Sequence, residues 1–79
     1  MTAGTAIRKH SVTLAGHRTS VSVEEAFWQE LKRLAGLRRT SVTALIEEID
    51  RTRSGNLSSA VRLYVLQQIK AEAAKGADR

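Results

Sequence analysis

Arg18, Ser20 and Ser22 alternate along a stretch in which every intervening residue is Thr or Val. Arginine can bond guanine O6 and N7 through both arms of its fork, and a hydroxyl can meet either a donor or an acceptor. Three such residues at period two would share one face of a strand. That face is fit to meet the edges of bases, or to be an ordinary wet strand face. A second group, Arg38-Arg39-Thr40-Ser41-Val42-Thr43, sets two cations beside the start of a helix. The first N–H groups of a helix have no partner within it, so Val42 and Thr43, with the Ser41 hydroxyl, could hold a phosphate. The plainer reading of this group is a routine capped helix.

Catalytic chemistry has little to stand on. The chain has two histidines and no cysteine, and neither His10 nor His17 sits near a carboxylate at metal-binding spacing. Glu47, Glu48 and Asp50 read as the solvated face of a helix. Gly36 and Gly55 stand singly, as helix stops rather than as a phosphate loop. No enzyme activity, metal or small-molecule cofactor is expected. Trp28 could stack on a base, but its register with Leu31 and Ala35 favours a core position.

The elements that position these groups follow from periodicity. Residues 1–10 are expected to form a flexible basic arm. Ser11-Val12-Thr13-Leu14 alternates as a strand, and Ala15-Gly16-His17 reads as a tight connection to a second strand, Arg18 to Val23. The two would make a hairpin with Val12, Leu14, Val21 and Val23 on its apolar face, together with Thr19; alternatively the first segment is an irregular lead-in. Helix 1 is predicted over 24–35 from Phe27, Leu31, Leu34 and Ala35, with Trp28 widening the stripe and Gly36 stopping it. Ser22 and Glu25 also fit a capping box, but strand alternation continues to Val23 and favours the later start. Helix 2 is predicted over 42–53 from Val42, Leu45, Ile46 and Ile49, with Ser41 or Thr40 as N-cap and Gly55 at its end. A third helix follows Asn56 or Ser58 and runs to about residue 73, leaving 74–79 as a frayed tail. Its apolar arc, Leu57, Val61, Val65 and Ile69 widened by Leu63, Tyr64 and Leu66, suits a helix buried between subunits.

At 79 residues, with 42% hydrophobic content and no cysteine, the chain is one small domain with a marginal core. Dimerisation is the economical remedy, since a lone strand leaves its backbone groups unpaired. The net charge of +5 favours an anionic partner such as nucleic acid. Residues 1–23 hold Arg8, Lys9 and Arg18 and no acid. No apolar run is long enough to span a membrane, and no signal segment is evident, so a cytoplasmic protein is expected.

Taken in order, Arg18-Thr19-Ser20-Val21-Ser22-Val23, the helix through Phe27 and Leu31, and Ser41-Val42-Thr43-Ala44-Leu45-Ile46 resemble the ribbon-helix-helix (MetJ/Arc-type) transcription factors over residues 17–53. Ser11 to Ser20, Phe27-Trp28 and Asn56-Leu57-Ser58-Ser59-Ala60 are similar to a ribbon-helix-helix subfamily common in alphaproteobacteria. The resemblance implies an α+β, mostly α, ribbon-helix-helix fold with an N-terminal hairpin or strand and an extra third helix. It implies an intertwined homodimer, with Val21, Val23, Phe27, Trp28, Leu31, Leu45, Ile46 and Ile49 in the dimer core. Double-stranded DNA is the implied partner of a regulator, most simply a repressor. Arg18, Ser20 and Ser22 would contact bases, and Ser41, Val42 and Thr43 phosphates, joined by Arg38 and Arg39. Two features depart from the family pattern: the Ser11–Leu14 segment, and the third helix, which could carry higher-order assembly or a protein partner. If the first strand were the reader, Lys9, Ser11 and Thr13 would replace the second-strand set. The rival reading is a protein-interaction module or an antitoxin-like protein working through helix 3. RNA binding ranks third, for want of paired exposed aromatics.

Overall fold

In the computed structural model, which describes residues 3–53 and 55–77, a 3-10 turn (Ala3–Thr5) leads into strands β1 (Ile7–Leu14) and β2 (His17–Glu24). Helices α1 (Glu25–Leu37), α2 (Val42–Thr52) and α3 (Leu57–Ala77) follow. The strands form an antiparallel hairpin in which Leu14 faces His17, Ser11 faces Ser20 and Lys9 faces Ser22. Ala15 and Gly16 join them with φ of 50° and 85°. Positive φ at both central residues is the signature of a type I′ turn, whose twist matches that of the strands it joins. The turn is tied to α2, since the Ala15 N–H donates to Glu47 Oε2 at 3.2 Å.

β1 starts at Ile7, four residues earlier than the alternation around Ser11 indicated. Arg8, Lys9 and His10 therefore belong to the strand and not to a flexible arm. Met1 and Thr2, the start of that expected arm, lie outside the described residues. The lead-in is used: the Ala6 carbonyl accepts from Glu25 N–H at 2.8 Å, satisfying one of the free donors that open α1. No side chain caps that helix, and Ser22 stays in β2, so the alternative capping box is not made.

α1 runs through Gly36 and stops two residues later than the glycine suggested. The Thr40 N–H reaches the Ala35 carbonyl and the Arg39 N–H the Gly36 carbonyl, each at 3.0 Å, with Arg39 at φ 55°. This is a Schellman closure built on Arg39 instead of a glycine. Gly36 is then a helix-interior residue with open space where a Cβ would stand. Gly36→Ala is expected to raise stability by about 0.5–1 kcal/mol, read as a shift in the denaturant midpoint at unchanged slope. α2 begins as expected, with Ser41 Oγ accepting from Ala44 N–H at 3.0 Å. It ends at Thr52 with Arg53 extended, so Gly55 is not its terminator. Asn56 caps α3, its side-chain oxygen accepting from Ser59 N–H at 2.8 Å. α3 continues through Ala74 to Ala77, past the expected end. Asp78 and Arg79, the rest of the expected tail, lie outside the described residues.

The helices pack on one face of the hairpin. The core joins Val12, Leu14, Val21 and Val23 to Leu31, Leu34 and Ala35 of α1, Leu45, Ile46 and Ile49 of α2, and Leu57, Val61 and Val65 of α3. Val21, Leu31, Leu45, Ile46, Val61 and Val65 are all 0% exposed within a single chain. Thr19 shares their side of β2 by alternation yet is exposed. Within one chain, α3 therefore contributes Leu57, Val61 and Val65 to the same core as the hairpin and the first two helices.

An ion-paired clasp joins α1 to α3. Both arms of the Arg33 fork donate to Glu72, at 2.9 and 3.0 Å, while its Nε donates to Glu30 at 2.8 Å. The hydrogen bonds from Arg33 hold the Glu72 carboxyl below its usual range. A depressed carboxyl stabilises the fold above its ordinary titration range and ceases to do so as pH falls through the lowered value. Stability is therefore expected to decline below about pH 4.5, the ordinary Glu value. Glu72→Gln should flatten that part of a melting-temperature-against-pH profile; an unaltered profile would show that the clasp contributes nothing.

Candidate nucleic-acid interface

Residues directly opposite in an antiparallel pair lie on the same face. The register therefore gathers Lys9, Ser11 and Thr13 of β1 with Ser22, Ser20 and Arg18 of β2 on the face turned away from the helices. The sequence offered these two sets as alternatives, and the hairpin merges them. Lys9, Ser11, Thr13, Arg18 and Ser22 are exposed and Ser20 is half-buried. Glu24, at the far end of the same face, is held by Arg62 at 3.4 Å.

Several arginines are already committed. Arg8 lies 3.8 Å from Glu25, Arg53 is paired with Asp50, and Arg62 lies over the Phe27 ring at 5.8 Å. Lys9 and Arg18 have no ion pair among the described residues. The hairpin thus presents two uncompensated cations among small hydroxyls.

The second expected group is divided. Ser41 caps α2 through Ala44, leaving the N–H groups of Val42 and Thr43 at the helix start. Val42 is half-buried and Thr43 exposed. Arg39, in the left-handed turn before them, has no ion pair among the described residues. Arg38 is otherwise engaged: one arm donates to both Glu48 oxygens at 3.0 and 3.1 Å, the other to the Tyr64 hydroxyl at 3.2 Å. The Tyr64 and Glu48 hydrogen bonds raise its pKa further. No local pattern signals that Arg38 is held by Glu48 and Tyr64, since these partners lie 10 and 26 residues away.

Of the residues expected in a dimer core, Val21, Val23, Leu31, Leu45, Ile46 and Ile49 are buried within the single chain, and Phe27 and Trp28 pack half-buried against them. Trp28 is not an open stacking platform, because His10 lies on its face at 3.7 Å between centroids and 5° between planes. His10 thereby belongs to the inner side of β1, an assignment that residue type alone did not suggest. Among the described residues no cluster of His, Cys, Asp and Glu could hold a metal, and no helix is long and apolar enough to cross a membrane.

An open groove of about 580 Å³ runs between the end of α2 and α3, floored by Ile49, Ala60, Leu63 and Tyr64. Beyond it, Leu63 and Leu66 are 57% and 48% exposed on the side of α3 away from Val61 and Val65, and Ile69, one turn past Val65 on its own line, is 37% exposed.

Among solved structures, the chain is similar to an uncharacterized protein from Bordetella pertussis Tohama I, at 30% identity and a TM-score of 0.75. The likeness covers 92% of this chain and 65% of that one, so this chain spans about two-thirds of the length of its relative. No curated protein matches the sequence. The ribbon-helix-helix domain pattern matches residues 7–69, from the first residue of β1 into α3. With hairpin, α1 and α2 in that order and most of its length matched, the chain belongs to the ribbon-helix-helix domain family.

Proposed function

We propose that the protein is a sequence-reading DNA-binding regulator, a cytoplasmic repressor acting as a homodimer on double-stranded DNA. Ribbon-helix-helix domains are DNA-binding modules and not enzymes, and the fold is consistent with a regulatory role of that kind. One observation supports the finer reading most: the outer face of the hairpin carries Lys9, Ser11, Thr13, Arg18, Ser20 and Ser22 together, its two cations unpaired. A two-stranded ribbon is an element the major groove admits. Arg18, Ser20 and Ser22 are assigned to base edges, with the β1 set beside them. Val42, Thr43, Ser41 and Arg39 are assigned to phosphate. Arg38 joins them only by giving up Glu48. The run Asn56-Leu57-Ser58-Ser59-Ala60 supports affiliation with the alphaproteobacterial subfamily.

Fluorescence anisotropy on a duplex from the protein's own upstream region, against a scrambled duplex at two salt concentrations, tests this reading. Preference for the upstream duplex should survive the higher salt. Equal binding erased by salt, repeated on duplexes from a random selection, would leave only a basic surface. Arg39→Ala should weaken both duplexes alike and lower the salt slope by about one, whereas Arg38→Ala should leave the slope unchanged.

A second reading is favoured by the exposed Leu63, Leu66 and Ile69: α3 binds a protein partner, as in an antitoxin-like protein, or joins dimers into a higher-order assembly. Leu66→Glu should then reduce the sedimenting mass or abolish partner binding without changing DNA affinity.

A further inference from the structure

Nearly every carboxylate among the described residues is already engaged. Glu24, Glu25, Glu30, Glu48, Asp50 and Glu72 are each ion-paired with an arginine. Glu47 has no such partner and accepts from the hairpin turn instead. The cations are not matched in the same way. Away from the hairpin, Arg51 in the last turn of α2 and Lys70 on α3 are exposed and have no ion pair among the described residues. Both border apolar surface. Arg51 lines the α2 side of the groove, whose α3 side runs from Asn56 through Ala60, Leu63 and Tyr64 to Gln67. That run is about 16 Å long, about three helical turns. Lys70 stands one turn past Gln67 and continues the line of the exposed Leu63 and Leu66. A trough with an apolar floor is thus bracketed by a free cation at each end. The other charges at the groove are neutralised: Glu48 by Arg38 and Arg53 by Asp50.

We infer that the groove between α2 and α3 docks an acidic amphipathic helix of a different protein. This rests on the second reading above, in which α3 binds a protein partner, and gives that partner its chemistry. A helix lying along the trough would set apolar side chains at i, i+3 or i+4 and i+7 over Ile49, Ala60 and Leu63. Carboxylates towards its two ends would meet Arg51 and Lys70, and such complementarity selects the partner and its direction more than it adds affinity. A small molecule fits less well, because a ligand pocket encloses about 70–90% of its occupant and this trough is open along its length. A second copy is also disfavoured. It would bring the same Arg51 and Lys70 and a net charge of +5, with only Glu47 among the described carboxylates free of an arginine. Phosphates would meet the cations but leave Leu63 and Leu66 uncovered.

The probe is a displayed library of single helices of about 16 residues, long enough to fill the trough. Its exposed positions are randomised and it is selected on the unaltered full chain. Enriched clones are expected to carry an apolar stripe and net negative charge. They should bind Leu63→Ser about tenfold more weakly, as expected when one leucine contact is lost. Arg51→Glu combined with Lys70→Glu should turn the selection towards basic clones. All three positions are exposed, so each variant is expected to melt as the unaltered chain does, and a thermal melt checks this. Neutral or basic clones enriched on the unaltered chain and lost with Leu63→Ser overturn the acidic chemistry and leave α3 a protein-binding face. Acidic clones that bind Leu63→Ser undiminished, or that duplex DNA displaces, lie on the hairpin's cations and overturn the docking. So does a selection with no enrichment over Leu63→Ser, and sedimentation then separates two cases. A mass that falls with Leu66→Glu puts a second copy on α3; an unchanged mass defeats the second reading as well.

Discussion

A chain ending at Gly55 is expected to lose cooperative unfolding altogether. Deleting α3 removes Leu57, Val61 and Val65 from the core, and Val61 and Val65 are 0% exposed. Burying an aliphatic side chain of this size contributes about 1.5–3 kcal/mol, so three together are worth about 4.5–9 kcal/mol even before the freshly bared faces of Leu45 and Ile46 are counted. A domain of this length has a net stability of about 4–12 kcal/mol. The loss is of the same size as the whole. The truncation also removes the Ser58 hydroxyl from the Ser22 N–H, Glu72 from the Arg33 clasp, and Tyr64 from Arg38. Circular dichroism against temperature provides the check, with Leu66→Ser in the full chain as control. Leu66 lies on the opposite side of the same helix, and its replacement should change stability by no more than about 0.5 kcal/mol. A truncated chain that still melts cooperatively would make α3 an appendage, which is how its position after the usual two helices made it look.

That contrast shows what the sequence carried and what it did not. The hairpin, the helix order and the Ser41 and Asn56 caps were legible because each depends on residues within a few positions: alternation, a turn, a hydroxyl or amide before an apolar run. The core line Leu57, Val61 and Val65 was legible as a stripe, but its partner was not. Periodicity states that a face is buried and leaves open whether the same chain or another covers it. The expectation of a second copy drew on the chain's size and on a strand with unpaired backbone groups; within one chain, α3 covers part of the core and β1 pairs with β2. The error at Gly36 has a cause in the tertiary structure. A glycine can end a helix, yet the Arg38–Glu48 and Arg38–Tyr64 bonds lie beside the place where α1 does end, with Arg39 in the left-handed position. Those bonds, like the His10–Trp28 stack, join residues distant in sequence, and no local pattern announces them. The outward face was read as two competing sets for the same reason: only the register puts Ser11 opposite Ser20.

Arg18→Ala is expected to cost about 1–3 kcal/mol of operator binding, roughly a five- to 150-fold loss of affinity, with little change on scrambled duplex. Arg18 is suited to such a role because nothing else holds it: it is exposed, lies opposite Thr13, and has no ion pair among the described residues. A guanidinium free of carboxylates can spend both arms on a guanine edge, whereas Arg33 and Arg38 would first have to leave their glutamates. Loss of one positive charge alone would also weaken binding, but on every sequence and in proportion to salt. Lys70→Ala separates the effects. Lys70 is an exposed cation without an ion pair among the described residues, on α3 and away from the hairpin face, and its removal changes the net charge by the same amount. If anisotropy titrations at two salt concentrations show selectivity falling for Arg18→Ala and kept for Lys70→Ala, the hairpin reads bases. If both variants lose the same affinity on both duplexes, Arg18 contributes only charge, and the reading falls to Lys9, Ser11 and Thr13 on the other strand of the face.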